Sequence, residues 1–590
     1  DAQGLPLPEP PAPAELGCVP SRERGLRCAP EVVLRIPMHL GPQTSLYDLR
    51  FEGSESLSEK ELFQIAALEL GKALSLVSVE EAKARIVEAL QDRGYAYAEV
   101  RTSVEPSGDR SRARVRFSIQ ERDRVYIDDI EVEGASRTDV DLILSRMALQ
   151  RGEPYSRRAV RLSQERIATL GTFSSVSVSL VDPEVPQKRK RLVVRVAEYP
   201  SQYIDPRVGF STGEGIRFGF EYGHRNIGGR AIQLTLRLQL SYLFDFMILD
   251  SGVAENLGPL PAIDRLERRN SLRVAFPQIG LGPLVSFYVE GIDLRDNQRD
   301  FGLQREAFVP TLTYRPLREV VGTLSASLEY NDVRIFKAGS IDDVVRNNRA
   351  LERLLRFPDG TTFAVAQRFG LSWDRRDNAF AATRGTYLSA DVEHVNAFPA
   401  NPDDPDTAPL TSHFLKLGAR FAGYIRLSKS GMSLALSLAG GGNVQLVDGS
   451  RTYPDRSFFL GGFDSMRAFL VDAMVPEDVA QQILSPAPGT PENERLRIED
   501  VAVRGGDIAV NPRAELRIPM TSTFGLGVFL DVGNLWVDPS AFDPLAMRWG
   551  AGAGLRIATP IGPLAFDYGL NLDRRPWEDI GALHFSIGLF

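Results

Sequence analysis

The sequence predicts two α+β repeats followed by a transmembrane antiparallel β-barrel of about 16 strands, and three observations lead to this fold class. Gly53 and Gly134 are 81 residues apart, as are Gly71 and Gly152, and such a fixed offset marks an internal duplication. Beyond about residue 203, apolar and polar residues alternate with a period of two, which is the period of a strand. The connections between these strands are short on one side and long on the other, as in a barrel inserted from one face of a membrane.

Each repeat reads as one strand, two helices and two further strands. In the first repeat "YDLRFEGS" is the opening strand, "LSEKELFQIAAL" and "VEEAKARIVEALQDRGY" are the helices, and "AYAEVRTSVEP" and "ARVRFSIQE" are the last strands. The second repeat follows the same order from "VYIDDIEVEGA" to "RLVVRVAE", with "RTDVDLILSRMAL" as its first helix. We therefore predict domains at 46–122 and 123–200, each long enough to bury a small core, after a proline-rich lead at 1–45.

The remaining residues, 201–590, are predicted to form the barrel. In "AIQLTLRLQL" the apolar side chains of residues 232–240 fall on one face and the polar side chains on the other. We count roughly sixteen such segments, an even number as bacterial outer-membrane barrels require. Because a soluble β-sandwich also alternates, the connections have to decide between the two folds.

The connections favour a barrel. Tight turns such as "IGGR", "IGLGP", "SKSG" and "TPIGP" alternate with long polar loops, among them Tyr242 to Leu266, Phe336 to Gly360 and a loop at 447–506. In a β-sandwich, short and long connections are not expected to alternate in this way. By our count eleven strands precede the last loop and five follow it, so this loop is expected on the extracellular side.

The composition excludes several classes of protein. The net charge is −8, with 25% charged residues, and no broad basic face indicates nucleic-acid binding. No apolar run approaches the ~18 residues of a transmembrane helix. The five histidines are scattered without metal-ligand spacing, and neither a G-x-S-x-G elbow nor a P-loop is present. We therefore predict no metal, no cofactor and no catalytic site.

The two cysteines lie near the start of the chain. Cys18 and Cys28 would form one small disulfide loop in an oxidising compartment. A lipoprotein role for Cys18 is the alternative, although "AELGC" lacks the usual leucine three residues before the cysteine. The chain begins with neither a basic segment nor an apolar signal core, so we expect that a signal peptide, if there was one, has been removed.

Three internal segments and the last residues resemble a known family. The first segment, "WDRRDNAFAATRGTYLS", is similar to a D-x-R-D-N-x-x-x-P-x-x-G turn, with alanine at 382 in place of the proline. The second, "FLDVGN", resembles an F-x-D-x-G strand motif. The third, "GGFDSMRAF", resembles a loop motif written V/I-R-G-F/Y. The ending "ALHFSIGLF" resembles the C-terminal signal of outer-membrane barrels. With the repeats, which resemble POTRA domains, these segments resemble the superfamily that contains BamA, TamA and the two-partner secretion transporters.

The resemblance assigns roles to individual residues. The turn motif matches at Asp374, Arg376, Asp377, Asn378 and Gly385. The loop motif and the strand motif match at Gly461, Gly462, Asp464, Arg467, Phe469, Phe529, Asp531 and Gly533. A lateral seam between the first and last strands, together with the C-terminal signal, would involve Phe585, Ile587, Gly588 and Phe590, with Gly588 weakening the last strand; the alternative is a simple bend in a stable strand.

The residues themselves supply a partner for Arg467. If Leu526, Val528, Leu530 and Val532 face lipid, then Phe529 and Asp531 face the lumen. A guanidinium that enters a confined lumen needs a partner, and a bidentate carboxylate is the best one. We therefore predict that Arg467 contacts Asp531 beside Phe529; the alternative is a solvated loop arginine. Ala468 stands where the family has glycine. Because alanine rarely adopts a positive φ, we do not expect a left-handed backbone conformation at this position.

The leading functional hypothesis is a non-enzymatic outer-membrane factor that inserts or assembles β-barrel or autotransporter-type clients. By resemblance, its periplasmic POTRA edges capture unfolded strands and its seam opens sideways. The expected partners are outer-membrane lipids, unfolded outer-membrane protein clients and a periplasmic or inner-membrane-anchored protein bound by the POTRA domains. Having two POTRA-like units favours a TamA-like or accessory member. The alternative is a two-partner secretion transporter that exports a dedicated exoprotein.

Overall fold

The computed structural model describes most of the chain. The described residues are 18–21, 25–28, 43–211, 214–248, 251–337, 352–355, 358, 360–379, 382–400, 412–428, 430–486, 488–492, 495–521, 523–559 and 562–587. The chain divides into two compact units. The first contains Asp1–Ile127, Gly152–Arg158 and Glu184–Lys190. The second contains Asp128–Arg151, Ala159–Pro183 and Arg191–Phe590. No described helix is long and apolar enough to cross a membrane.

A two-stranded sheet precedes the repeats. Strands β1 (Cys18–Ser21) and β2 (Gly25–Cys28) pair antiparallel, with Cys18 opposite Cys28. Opposed residues of antiparallel strands are close enough for a disulfide. The side chains lie outside the described residues, so the disulfide stays a prediction.

The first repeat is a three-stranded sheet covered by two helices. It contains β3 (Ser45–Glu52), α1 (Glu59–Ala66), α2 (Leu76–Asp92), β4 (Glu99–Pro106) and β5 (Arg112–Gln120), in the sheet order β3-β5-β4. Helix α1 begins at a capping box, in which Ser58 accepts from the N–H of Glu61 and the Glu61 carboxylate accepts from the N–H of Ser58. The core is apolar and includes Ala82, Ile86 and Leu90 of α2, each fully buried.

The second repeat has the same order of elements. It contains β6 (Tyr126–Glu133), α3 (Val140–Leu144), α4 (Arg157–Ala168), β7 (Phe173–Leu180) and β8 (Arg189–Glu198), in the sheet order β6-β8-β7. Helix α3 is much shorter than the thirteen-residue segment "RTDVDLILSRMAL" that was predicted to be helical. The chain leaves the helix at Ser145, and the next side chain, Arg146, donates to the carbonyls of Pro283 and Pro277 at 2.8 and 2.6 Å. This contact takes the place of a longer helix.

The duplicated glycines have a steric cause. Gly53 and Gly134 both have φ of +86°, a left-handed conformation. A Cβ at Gly53 would lie 2.3 Å from the carbonyl oxygen of Ile119, and one at Gly134 would lie 2.1 Å from that of Val196. Glycine is therefore required where the first strand of each repeat ends.

A carboxylate holds the turn after each of these glycines. Glu121 accepts from the N–H of Ser56 at 3.0 Å and from its hydroxyl at 2.8 Å. In the second repeat Glu198 accepts from the N–H of Thr138 at 2.9 Å and from its hydroxyl at 2.7 Å. The Glu198 side chain is only 5% exposed and also receives the guanidinium of Arg137. Neither glutamate was singled out from the sequence.

The structure confirms the predicted barrel. Sixteen antiparallel strands close in chain order, with the first paired to the last. They are β9 (Gln202–Ser211), β10 (Gly215–Ile227), β11 (Ile232–Tyr242), β12 (Glu267–Phe276), β13 (Val285–Asn297), β14 (Phe301–Leu317), β15 (Val320–Ile335), β16 (Gly360–Asp374), β17 (Gly385–Pro399), β18 (Ser412–Arg426), β19 (Ser433–Gln445), β20 (Ile508–Pro519), β21 (Phe524–Trp536), β22 (Arg548–Thr559), β23 (Gly562–Asn571) and β24 (Gly581–Ile587).

Short helices occur in the long connections, at α5 (Ser251–Leu257), α6 (Ala262–Arg265), α7 (Glu352–Leu355) and α8 (Glu477–Leu484). Helix α8 belongs to the connection between β19 and β20, which we call the lumen loop (447–506). Apolar residues of this loop pack against the inward faces of β14–β17. Members of this cluster include Phe301, Val333, Ala397, Val479 and Val501. The loop therefore fills part of the lumen with a hydrophobic core.

We expect Glu198→Gln to lower the free energy of unfolding of the second repeat by about 2 kcal/mol, because a charged acceptor becomes neutral. Burial raises the pKa of Glu198, but hydrogen bonds from Thr138 and Arg137 outweigh it and lower this pKa from 4.5 to about 2. A depressed pKa stabilises the fold above the pKa of the unfolded chain. The stabilisation is therefore complete above about pH 4.5 and is lost as the pH falls toward about 2.

Hydrogen exchange of residues 134–140 across this pH range, corrected for intrinsic rates, measures the effect. Glu131→Gln is the matched control, because Glu131 forms an exposed ion pair with Arg191 and should contribute little. Equal effects of the two substitutions would contradict the role of Glu198.

Candidate functional site

The lumen loop turns back on itself at two glycines. Gly461 and Gly462 have φ of +125° and +100°. A Cβ at Gly461 would lie 2.2 Å from the carbonyl oxygen of Leu470. The two halves of the turn can therefore approach each other only because residue 461 is glycine. The Ser465 hydroxyl accepts from the N–H of Gly461 at 3.0 Å and donates to its carbonyl at 2.9 Å. This turn brings residues 466–469 against the barrel wall.

The structure places Arg467 against Asp531. The guanidinium Nε and Nη2 donate to the two carboxylate oxygens, both at 2.8 Å, and the backbone N–H of Arg467 donates to the same carboxylate at 3.0 Å. The Arg467 side chain is 4% exposed and the Asp531 side chain is 0% exposed. This is the bidentate geometry that gives an arginine–carboxylate pair both strength and direction.

Two further residues complete the environment of the guanidinium. Its Cζ lies 3.5 Å from the centre of the Phe529 ring, and its Nη1 donates to Glu515 at 2.7 Å. Strand alternation in "RAELRI" sends Glu515 inward, but Glu515 was not identified from the sequence as a partner of Arg467. Its charge is shared, because Arg517 donates to it at 3.2 Å. The buried charge of Arg467 is therefore compensated on three sides.

The backbone of the loop rests on glycines of the barrel wall. A Cβ at Gly569 would lie 2.2 Å from the carbonyl oxygen of Arg467, and one at Gly550 would lie 2.5 Å from the Cβ of Ala468. The His584 Nε2 is 3.2 Å from the same Arg467 oxygen. Ala468 is not among the residues with positive φ, so alanine is sterically allowed here. Its methyl group occupies space that Gly550 leaves free.

A second arginine of the loop was missed by the sequence analysis. Arg456 donates to Glu329 of β15 at 2.8 and 3.0 Å and to Glu393 of β17 at 3.2 Å. The neighbouring Asp455 binds Arg305 of β14. Strand alternation could have shown that Glu329 and Glu393 face the lumen, and a "PDR" turn in the loop supplies the opposite charge. Arg456 and Arg467 thus attach the loop to different parts of the wall.

Comparison with known proteins identifies the family. Residues 226–590 match the Omp85 superfamily domain. The chain belongs to the Omp85 superfamily. Residues 46–122 and 125–199 match the POTRA family, described as a surface antigen variable number repeat.

Two curated relatives and one solved structure are similar to this Omp85 protein. The outer membrane protein assembly factors BamA of Nitratidesulfovibrio vulgaris and Neisseria meningitidis are 22% and 21% identical, over 95% and 94% of this chain. The chain spans 64% and 68% of the lengths of these relatives. The crystal structure of BamA from Haemophilus ducreyi lacking POTRA domains 1–3 matches with a TM-score of 0.61 and 17% identity, covering 92% of this chain and 99% of that chain. This last likeness concerns the fold.

The other residues that match the loop motif and the strand motif are distributed as follows. Phe469 is 5% exposed and lies 5.3 Å from the guanidinium of Arg548. Gly533 makes room for Met466, whose sulfur would lie 3.2 Å from a Cβ at that position. Asp464 is exposed, and the carboxylates that bind Arg467 are Asp531 and Glu515. Asp464 thus does not bind Arg467, and its role in the loop motif stays a prediction.

The turn motif forms a compact hydrogen-bonded connection between β16 and β17. Arg376 donates from Nε and Nη2 to Asp374 at 2.8 and 2.7 Å. Asp377 accepts from the N–H of Asn378 at 3.0 Å and from the N–H and hydroxyl of Thr383 at 2.9 and 2.6 Å. The connection ends at Gly385, with φ of +104°. The described residues of the motif thus bond to one another between β16 and β17.

The first and last strands of this Omp85 barrel pair with each other and close the wall. Among the residues that the structure describes, β24 pairs with β9 only at Ser586–Ser211 and Ile587–Phe210. The ring of Phe585 lies 5.4 Å from that of Phe210. Gly588 and Phe590, predicted to belong to the seam, lie outside the described residues.

We found no group of three or more histidine, cysteine, aspartate or glutamate side chains suited to a metal ion, within the described part of the chain.

We expect Arg467→Ala to destabilise the folded barrel by about 3–5 kcal/mol, because it leaves the Asp531 carboxylate buried and unpaired. Asp531→Ala should cost a similar amount, and the double variant should cost clearly less than the sum. Unfolding in detergent, followed by heat-modifiable migration on gels, measures each variant. Arg517→Ala is the matched control: it contacts the same Glu515 but is 38% exposed, so its loss should cost under about 1 kcal/mol. Strict additivity of the Arg467 and Asp531 substitutions would contradict the pairing.

We expect Gly550→Ala to destabilise the barrel by about 1–3 kcal/mol through overpacking against Ala468. Adding Ala468→Gly in the same chain should restore most of the loss, because it removes the methyl group that the new Cβ meets. The same gel assay measures both variants. Gly291→Ala is the control, since a Cβ there meets nothing within 4 Å. If Ala468→Gly fails to rescue Gly550→Ala, the complementarity of these two positions is refuted.

Proposed function

We propose that the chain is a non-enzymatic factor of the bacterial outer membrane that inserts or assembles β-barrel or autotransporter-type clients. Its relatives carry the name outer membrane protein assembly factor BamA, and its fold combines POTRA repeats with an Omp85 barrel. In this proposal the POTRA repeats lie in the periplasm and the barrel lies among outer-membrane lipids. The observation that carries the proposal is the combination of two POTRA repeats with an Omp85 barrel that closes between its first and last strands, β9 and β24.

The seam supports sideways delivery of a client. Each backbone hydrogen bond between strands has to be satisfied within the hydrocarbon region, where water supplies no alternative partner. The seam joins the first and the last strand of the barrel, so it can open without separating two strands that a turn connects. A client strand that adds to the freed edges satisfies the same backbone groups. The backbone groups that become exposed when the seam opens are therefore the same groups that an added client strand satisfies.

The edges of the POTRA sheets support capture of an extended chain. Strand β7 lies at the edge of its sheet, and its sequence "FSSVSVSL" contains no charge and no proline. Natural edge strands are usually protected by such residues, as β4 is by Glu99, Arg101, Glu105 and Pro106. The β7 edge is thus the better acceptor for an unfolded client strand.

The filled lumen argues against the alternative of a two-partner secretion transporter. Export through the barrel requires removal of the lumen loop, which is attached by Arg456 and Arg467 and by the apolar core against β14–β17. Lateral insertion leaves this loop in place. The TamA-like or accessory assignment and a periplasmic or inner-membrane-anchored partner of the POTRA domains stay predictions.

We expect a disulfide between Ser211→Cys and Ser586→Cys to abolish client assembly, because these residues are directly paired across the seam. The background should carry Cys18→Ser and Cys28→Ser. Insertion of an unfolded outer-membrane protein into proteoliposomes is measured before and after oxidation, and a reductant should restore it. Phe220→Cys with Leu238→Cys, paired across β10 and β11, is the matched control and should assemble clients when oxidised. Full activity of the oxidised seam variant would rule out lateral opening.

A further inference from the structure

A groove lies in the outward face of the wall formed by β12, β13 and β14. Phe301 and Leu303 of β14 are buried in the core inside the lumen. Because side chains alternate along a strand, Glu306 and Phe308 of β14 face outward. The register places Gly291 of β13 beside Phe308, and a Cβ at Gly291 would meet no described atom within 4 Å. The wall is therefore indented at Gly291.

The groove is apolar and large enough for an acyl chain. Its volume is about 750 Å³, which is within the range of ligand sites in proteins. The exposed apolar side chains that line it are Leu272, Phe308, Leu328, Phe363 and Phe398. An acyl chain that enters the groove makes van der Waals contacts with these side chains and fills the indentation.

Polar residues begin directly above the groove. Asn270, Asp293 and Glu306 are consecutive partners across β12, β13 and β14. The outward row on its periplasmic side is paired in the same register and consists of Leu272, Gly291 and Phe308. The outer surface of these three strands therefore changes from polar to apolar between two neighbouring rows.

This change occurs at the extracellular edge of the lipid-facing band. Strands β12 and β14 run from the side of the long loops toward the side of the short turns. The outward residue Tyr314, near the other end of β14, is 49% exposed. Eight residues of a tilted strand separate it from Glu306, which corresponds to about 20 Å of height, and an outer-membrane apolar band is about 25 Å tall. Glu306 therefore lies where lipid headgroups meet acyl chains.

Two charged groups at this edge have unused hydrogen-bonding capacity. Arg268 donates from Nε to both oxygens of Asp293, at 3.0 and 2.9 Å, and Asn270 donates to the same carboxylate at 3.0 Å. The two terminal nitrogens of Arg268 form no hydrogen bond among the residues that the structure describes. Within the same described ranges, the exposed Glu306 carboxylate has neither a hydrogen bond nor an ion pair. A free guanidinium edge and a free carboxylate thus lie on either side of Asp293.

We propose that the groove binds a phospholipid whose headgroup carries both a phosphate and a primary ammonium. The phosphate accepts from the terminal nitrogens of Arg268, because a guanidinium presents two parallel donors to phosphate oxygens. The ammonium donates to Glu306, and one acyl chain lies against Gly291. An anionic headgroup without an ammonium leaves Glu306 unpaired. The free charges above the groove are therefore complementary to a zwitterion.

Lipid binding to the full chain in detergent, measured by native mass spectrometry, tests this site. Phosphatidylethanolamine should bind about ten-fold more tightly than phosphatidylcholine, whose quaternary ammonium donates no hydrogen bond. It should also bind more tightly than phosphatidylglycerol, which has no ammonium, and than lipid A with Mg²⁺. Equal binding of the four lipids, or tighter binding of any of the other three, overturns the proposal.

A charge variant identifies the position of the headgroup. Glu306→Gln should weaken the binding of phosphatidylethanolamine about ten-fold, because the ammonium loses its anionic partner, and should not weaken that of phosphatidylglycerol. Asp332→Asn is the matched control, since Asp332 is an exposed carboxylate on the outward face of β15, outside the groove. If the two substitutions have equal effects on phosphatidylethanolamine, the headgroup does not lie at Glu306 and the site is refuted.

A groove variant identifies the position of the acyl chain. Gly291→Leu fills the groove and should weaken the binding of phosphatidylethanolamine by a similar factor. Gly322→Leu, on the outward face of β15, is the matched control, because a Cβ there comes no closer than 3.7 Å to another described atom. Both variants should show the heat-modifiable migration of a folded barrel. Undiminished binding to Gly291→Leu, or an equal loss in the control, refutes the groove as the lipid site.

Discussion

Burial of charged arginines in the lumen is the constraint on which the arrangement of the lumen loop depends. Removing a guanidinium from water costs several kcal/mol unless carboxylates and hydrogen bonds compensate. Here the compensation comes from strand residues, Asp531 and Glu515 for one arginine and Glu329 and Glu393 for the other. Because side chains alternate across a strand, a slip of one residue would turn these carboxylates toward lipid. The position of the loop is therefore tied to the register of the barrel.

Much of this arrangement could be predicted because it depends on local patterns. Alternation and connection length are read from neighbouring residues, and they predict both the barrel and the inward direction of Phe529 and Asp531. The contacts of Arg456 could not be predicted in the same way. Its partners lie 63 and 127 residues away, and they come together only through the path of the loop. Strand alternation predicts which carboxylates face the lumen, but it does not predict which loop arginine reaches them.

Two local expectations were changed by tertiary contacts. The segment around α3 has a helical pattern, yet Arg146 leaves the helix to donate to two proline carbonyls, and these bonds replace the last turns. Ala468 departs from the glycine of related loops, and the departure is accommodated by the absence of a side chain at Gly550. In both cases the deciding partner lies far along the chain. A single sequence contains both partners without showing that they meet.

The ion pairs that attach Arg456 and Arg467 to the wall are compatible with the proposed opening of the seam, because they involve different strands. The carboxylates that hold Arg456 and Arg467 lie on β15, β17, β20 and β21. The hydrogen bond from the loop to β24 runs through His584 alone among the described residues, at 3.2 Å. Separation of β24 from β9 therefore breaks the seam pairing and strains the His584 contact, while the ion pairs of Arg456 and Arg467 lie on other strands. One further ion pair, between Glu477 of α8 and Arg575, ties the loop to the connection that precedes β24. Opening of the seam can therefore leave the attachments of Arg456 and Arg467 in place.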